Sequence, residues 1–283
     1  MMRLLITDLD NTLYDWVSFF ARAFEAMAAE LITLLGTDKQ TLFEEFKLVH
    51  RKYDNSEYPF AIFELPSVRR RFGDLPAQEL KAKLDGPLHA FNSARKREMR
   101  LYESVAATLE ELKRQGITII GHTEALAVNA SFRLHKLGID QYFRRLYALE
   151  AAVVPMHPDP DRAAPLLNRP DFIQLVPRNE RKPNPRLLSH ICAQEQVEIK
   201  DAWYVGDSLS RDILMAQEAG VTSVWAEYGT RYDHNLWNTL VKITHWTDED
   251  VVRDAELRRQ AKSVQPNFTI QSFSEILTLM NQK

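Results

Sequence analysis

The chain has 283 residues, with 36 basic and 39 acidic side chains and a formal net charge of −3, a balance that argues against a general nucleic-acid binder. No apolar run is long enough to span a bilayer, and a single cysteine, Cys192, excludes an internal disulfide. Apolar residues make up 45%, enough for a sizeable core. Met1-Met2-Arg3 enters an apolar stretch directly, without room for a signal peptide, so a soluble cytoplasmic protein is expected.

Leu4-Leu5-Ile6-Thr7 reads as a buried parallel strand, because helices on both sides of a sheet require apolar residues on both faces. It runs into Asp8-Leu9-Asp10-Asn11-Thr12. Two carboxylates at the end of a buried strand are costly unless a metal or substrate binds them. Trp16, Phe20, Phe24, Met27 and Leu31 then recur at spacings of three and four, which predicts a helix ending near Gly36. Amphipathic segments around Thr41–Lys52, Ala61–Phe72 and Pro76–Phe91 are punctuated by Asn55, Pro59, Gly73 and Pro87. Residues 15–100 therefore read as a helical insertion without strands, about the size of a small domain.

An α/β rhythm follows. Helices are expected over Val105–Gln115, Glu124–Leu137, Pro185–Gln196, Ser210–Ala219 and Ser272–Asn281. Strands are expected over Ile117–Gly121, Arg145–Leu149, Ala202–Val205 and Thr222–Ala226. Ala151–Glu180, rich in proline and charge, and the polar helical stretch Arg231–Pro266 read as elaborations. The alternation predicts a doubly wound α/β parallel sheet built from residues 1–14 and 101–283.

Four motifs sit at strand ends or helix starts: Asp8 to Thr12, Thr123, Lys182 in Arg181-Lys182-Pro183, and Gly206-Asp207-Ser208-Leu209-Ser210-Arg211-Asp212. Together they suit phosphoryl transfer. A carboxylate attacking phosphorus approaches a group of its own charge sign, and a divalent cation and a lysine relieve that repulsion. Asp8 and Asp207 offer the oxygen ligands that Mg²⁺ prefers. Lys182 supplies a point charge. The Thr123 hydroxyl and the backbone N–H of Glu124 could hold phosphoryl oxygens at a helix start. Asp10 could protonate the leaving oxygen and later deprotonate water.

In order and spacing these motifs resemble the haloacid dehalogenase-like (HAD) hydrolase superfamily, with the helical insertion where that family places a C1 cap. Phe268-Thr269-Ile270 and the helix after it resemble the family's last strand and helix. The resemblance implies Asp8 as nucleophile and metal ligand, Asp10 as acid/base with its carbonyl as a second ligand, and Asp207 as a third ligand. It further implies Thr123 and Lys182 as the phosphoryl-binding pair, and Asp212 as a supporting acid that orients Lys182 or a metal-bound water. The dehalogenase branch lacks an acid two residues after its nucleophile, so Asp10 implies Mg²⁺-dependent hydrolysis of a small-molecule phosphate ester. Phosphotransfer by a mutase, using the same residues, and a non-catalytic binding protein remain alternatives.

Glu124 departs from the small polar residue common after the threonine. An acid facing a phosphate is unfavourable, so its side chain is expected to point outward beside the helix N-terminus. Arg69-Arg70-Arg71 reads as a solvated face, Cys192 as core, and His157, Asp159 and Asp161 as loop residues rather than a metal site.

Overall fold

The computed structural model describes residues 2–58, 60–73, 75–151, 169 and 171–282. Its centre is a seven-stranded parallel sheet. The strands are β1 (Leu4–Thr7), β2 (Thr118–Leu126), β3 (Arg145–Leu149), β4 (Ile173–Val176), β5 (Ala202–Gly206), β6 (Thr222–Ala226) and β7 (Phe268–Ile270). Their spatial order is β4-β3-β2-β1-β5-β6-β7. Chain direction across the sheet reverses at β1, so the carboxyl ends of β1 and β5 flank the crevice where open α/β sheets bind ligands.

Both faces of the sheet are covered. Leu5 joins an apolar cluster with Phe20, Leu109, Leu134 and Phe273, while Leu4 and Ile6 face a second cluster with Leu188, Ile191, Cys192 and Met215. Alternate side chains of one strand thus enter opposite cores, which is why β1 is apolar throughout.

Among the described residues, six helices lie between β1 and α7 (Val105–Arg114): α1 (Trp16–Leu35), α2 (Lys39–Tyr53), α3 (Ala61–Glu64), α4 (Pro66–Phe72), α5 (Ala77–Lys83) and α6 (Asp85–Glu98). The expected helix over Ala61–Phe72 is divided at Leu65, because Pro66 cannot continue α3 and instead opens α4. The segment expected from Pro76 to Phe91 divides at Leu84 into α5 and α6. Asp15 accepts a hydrogen bond from the Ser18 N–H at 2.8 Å to start α1, and Gly36 ends it at φ 65°.

Beyond β2 come α8 (Ala127–Lys136), α9 (Pro185–Gln194), α10 (Leu214–Glu218), α11 (His234–Ile243), α12 (Asp248–Gln260) and α13 (Glu275–Met280). Three differences from expectation concern the site. First, β2 runs on to Leu126 and α8 begins three residues later than expected. The Thr123 hydroxyl accepts the Ala125 N–H at 3.0 Å, a local turn that bends the strand, with a register break against β3, rather than capping a helix. Secondly, β4 emerges from the Ala151–Glu180 elaboration as an edge strand. It is short and partly exposed, with Leu175 62% exposed, so it carries no buried-strand signature. His157, Asp159 and Asp161 lie outside the described residues. Thirdly, Leu209–Ile213 forms a wide π-helical turn before α10, in which the N–H groups of Asp212 and Ile213 both reach the Ser208 carbonyl, at 2.9 and 3.1 Å.

No helix among the described residues is long and apolar enough to cross a membrane.

Candidate active site

The sheet's carboxyl edge opens into a cavity of about 850 Å³ that Asp8, Asp10, Thr123, Glu124, Lys182, Asp207 and Asp212 all line. The motifs read from separate parts of the sequence therefore converge on one space.

Asp8 continues the β1 ladder, its N–H donating to Val205 at 2.9 Å. The residue is 6% exposed; Oδ1 accepts from Lys182 Nζ at 2.6 Å and Oδ2 from the Thr12 hydroxyl at 3.0 Å. Burial raises its carboxyl to about 7, against the pull of the Lys182 cation. Lys182, 4% exposed, lies between two acids, donating also to Asp212 Oδ1 at 2.8 Å. Burial alone would lower the ammonium, but Asp212 and Asp8 outweigh it and hold Lys182 well above its ordinary value.

Asp212 is buried and fully engaged. Oδ1 accepts from Lys182 and from the Tyr204 hydroxyl (3.1 Å), and Oδ2 from the Ser208 N–H (3.0 Å). The π-helical turn is what folds this side chain back under its own loop. Gly206 makes room for it, since a Cβ there would lie 2.4 Å from Asp212 Cγ. Tyr204 in turn contacts His122 Nδ1 at 3.3 Å, and burial pushes that imidazole well below its ordinary value, keeping it neutral.

Carboxylate oxygens of Asp8, Asp207 and Asp212 lie within 4.8 Å of one another. Burial, then the Asp8 and Asp212 charges, raise Asp207 well above the carboxylate range. Among the described residues no cation pairs with Asp207, and Lys182 is the one cation bonded to Asp8 and Asp212. An oxygen-only cluster with more negative charge than one lysine can neutralise fits a hard divalent ion. The Asp207 loop is itself pinned: the Trp225 indole donates to its carbonyl at 2.8 Å, and Gly229 packs so close that a Cβ would lie 1.9 Å from the Asn11 carbonyl oxygen.

Asp10 lines the cavity with its carboxylate outside the acid cluster, and Arg133 Nη1 donates to its Oδ1 at 2.6 Å. One expectation changes here. Glu124 does not point outward beside a helix start. It lies in β2, lines the cavity, and its charge is met by Arg211 at 3.2 Å. That pairing removes the conflict an unpaired acid would create beside a phosphate.

The insertion contributes Trp16, Phe20, Asp54 and Glu57 to the cavity wall, while α11, α12 and the loop between them contribute Trp237, His245, Trp246 and Arg253. Helix α12 has no buried residue. Polar contacts tie it to residues beside the motifs: Arg211 to Asp254 (2.7 Å), Arg181 to Asp250 (3.6 Å), and Arg253 to the Lys182 carbonyl (3.1 Å). Sequence reading marked this stretch only as a polar elaboration, and missed Tyr204 and Arg133 altogether. The available signal for Arg133 was a charge on the apolar stripe of α8, between Ala130 and Leu134.

A doubly wound sheet with acids at the ends of β1 and β5, a buried lysine between them and an insertion after β1 defines a hydrolase of the HAD type. The haloacid dehalogenase-like hydrolase family matches residues 2–220, and a HAD-hydrolase-like family matches residues 179–275. The chain belongs to the haloacid dehalogenase-like hydrolases. It is 27% identical over 236 residues to a glyceraldehyde 3-phosphate phosphatase of Methanopyrus kandleri, covering 82% of this chain and 87% of that protein. It is 26% identical over 234 residues to a phosphoglycolate phosphatase of Vibrio parahaemolyticus, covering 82% and 86% respectively. Among solved structures, a 2-haloacid dehalogenase from Pseudomonas syringae pv. Tomato aligns with a TM-score of 0.57 at 19% identity, over 100% of this chain and 99% of that one, which is a likeness of fold.

Proposed function

We propose that this enzyme is a phosphatase that hydrolyses small-molecule phosphate monoesters through a phosphorylated Asp8. The observation that carries the reading is the buried lysine shared by Asp8 and Asp212, with Asp207 alongside them. The names of the two sequence relatives, both phosphatases matched over most of their length, support it.

Mg²⁺ would be held by Asp8, Asp207 and the Asp10 carbonyl, and when bound it offsets the repulsion between carboxylate and phosphoryl oxygens. Lys182, Thr123 and the Glu124 N–H would take the phosphoryl oxygens, while Asp212 and Thr12 hold the lysine and nucleophile in place. In the first half, a bond forms from an Asp8 oxygen to phosphorus as the ester P–O bond breaks, and Asp10 gives its proton to the departing oxygen. In the second, Asp10 takes a proton from water as the water oxygen bonds to phosphorus and the Asp8–phosphorus bond breaks. Free phosphate leaves and Asp8 is restored.

The helices of residues 15–100 would act as the cap over the 1–14 and 101–283 core, admitting substrate and excluding water. Substrate choice then rests with the cavity wall from α1, the α2–α3 loop and the α11–α12 segment.

The test is a phosphate-release screen over metabolite esters, with and without Mg²⁺, beside Asp8→Asn. Mg²⁺-dependent turnover is expected, falling by at least about 10³-fold in Asp8→Asn while the variant still folds and unfolds cooperatively. Normal turnover by Asp8→Asn would remove the covalent mechanism.

A further inference from the structure

Arg133 stands outside every sequence motif, yet it grips Asp10. It projects from α8, is 2% exposed, and donates through Nη1 to Asp10 Oδ1 at 2.6 Å. Its Nη2 donates to Glu57 Oε2. Glu57 belongs to the helical insertion and is itself fixed there: its Oε1 accepts the Trp16 indole N–H at 3.1 Å, and its backbone N–H donates to Asn55 Oδ1 at 2.9 Å. The Phe19 ring, also from the insertion, lies 5.5 Å from the guanidinium carbon.

A guanidinium is a planar fork with fixed donor directions. With Glu57 on one edge and Phe19 against the group, the direction of the other edge is set, and that edge holds Asp10. Asp10 needs such a brace. Its side chain is 24% exposed and precedes Asn11, whose φ of 57° marks a sharp turn. An acid/base works only within hydrogen-bond reach of its proton partner, and a misplacement of about 1 Å can cost on the order of 10²-fold in rate.

We propose that Arg133 is a positioning residue for Asp10, anchored by Glu57, so that the acid/base is correctly aimed only while the insertion is docked over the site. The inference rests on the phosphatase reading above. Arg133 occupies Oδ1 and takes no part in proton transfer. Oδ2 passes the proton to the ester oxygen as that oxygen leaves phosphorus and an Asp8 oxygen bonds to it.

The experiment compares kcat/KM for two substrates at saturating Mg²⁺: the best alkyl phosphate from the screen, whose leaving oxygen needs a proton, and p-nitrophenyl phosphate, whose leaving group does not. Because kcat/KM reports steps up to ester cleavage, a misaimed acid slows only the first substrate. Arg133→Met is expected to lower the alkyl value on the order of 10²-fold while p-nitrophenyl phosphate changes less than about threefold. Arg133→Lys should recover part of the loss, and Glu57→Gln should show a smaller loss with the same substrate preference. Equal losses on both substrates, or none, would overturn the proposal. If Arg133→Met does not fold, the same ratio in Arg133→Lys and Glu57→Gln decides it. A wild-type protein inactive on both esters would instead sink the phosphatase reading, and this inference with it.

Discussion

Replacing Lys182 by Met keeps most of the aliphatic stem and removes the charge that two buried carboxylates share. Asp8 and Asp212 are 6% and 2% exposed, and Lys182 meets them at 2.6 and 2.8 Å. Breaking a buried ion pair from one side costs about 3–5 kcal/mol, because a charge is left without compensation. Against a typical domain stability of about 5–15 kcal/mol, Lys182→Met should still fold, but with a markedly lower urea midpoint. The deficit should depend on pH. Asp8 already sits at about 7, above its unfolded value of 3.8, and loss of the lysine raises it further. A carboxyl raised in the folded state supplies stability that is complete below the unfolded value and is lost as pH rises through the folded one. The wild-type-to-variant gap should therefore widen from pH 5 to pH 8 in the presence of EDTA. Mg²⁺ should stabilise both proteins, by about 2.7 kcal/mol at one hundred times its Kd. The measurement is urea unfolding at the two pH values, with and without the ion. A deficit under about 1 kcal/mol at pH 8, the scale of a surface substitution, would refute the claim that Lys182 holds two buried charges.

Gly206→Ala places a methyl group 2.4 Å from Asp212 Cγ, so the Asp212 side chain must move. A loss of about 1–3 kcal/mol in chemical unfolding and at least a tenfold fall in kcat are expected, and unchanged kinetics would show that Asp212 does not need its position. His50 of α2 is 2% exposed and meets the Ile243 carbonyl at 2.7 Å; burial lowers its imidazole to about 4 despite that hydrogen bond. The unfolded chain takes up a proton near 6.5 and the folded one only near 4, so His50 costs stability as pH falls from 6.5 to 4. The stability of wild type relative to His50→Gln should drop by roughly 3 kcal/mol across that window, and a flat difference would mean that the imidazole titrates normally.

The sequence carried much of this protein's outline. An apolar run leading into Asp8 and Asp10 marked a buried strand with two acids at its carboxyl end, and Gly36, Gly116, Gly138 and Gly220 marked where α1, α7, α8 and α10 stop. Lys182 and Asp207 were legible because each lies beside a strand or helix boundary with a recognisable local pattern. Other features left no such mark. Strand β4 is short and half-exposed, so its alternation is faint. The late start of α8 depends on the Thr123 hydroxyl turning back to the Ala125 N–H, a choice between two local bonds that composition does not settle.

Beyond the meeting of the motifs themselves, contacts between distant segments came only with the tertiary structure. Arg133 meets Asp10 across 123 positions of chain and Glu57 across 76. Glu124 finds Arg211 in the cavity wall, and α12 meets Arg181, Lys182 and Arg211 through two ion pairs and a hydrogen bond to a carbonyl without burying a residue. Periodicity reports that a face is buried because water and apolar groups separate locally along each element. Which partner meets that face depends on how the elements cross, and a charge such as Arg133 acquires its meaning only when packing brings two carboxylates to it.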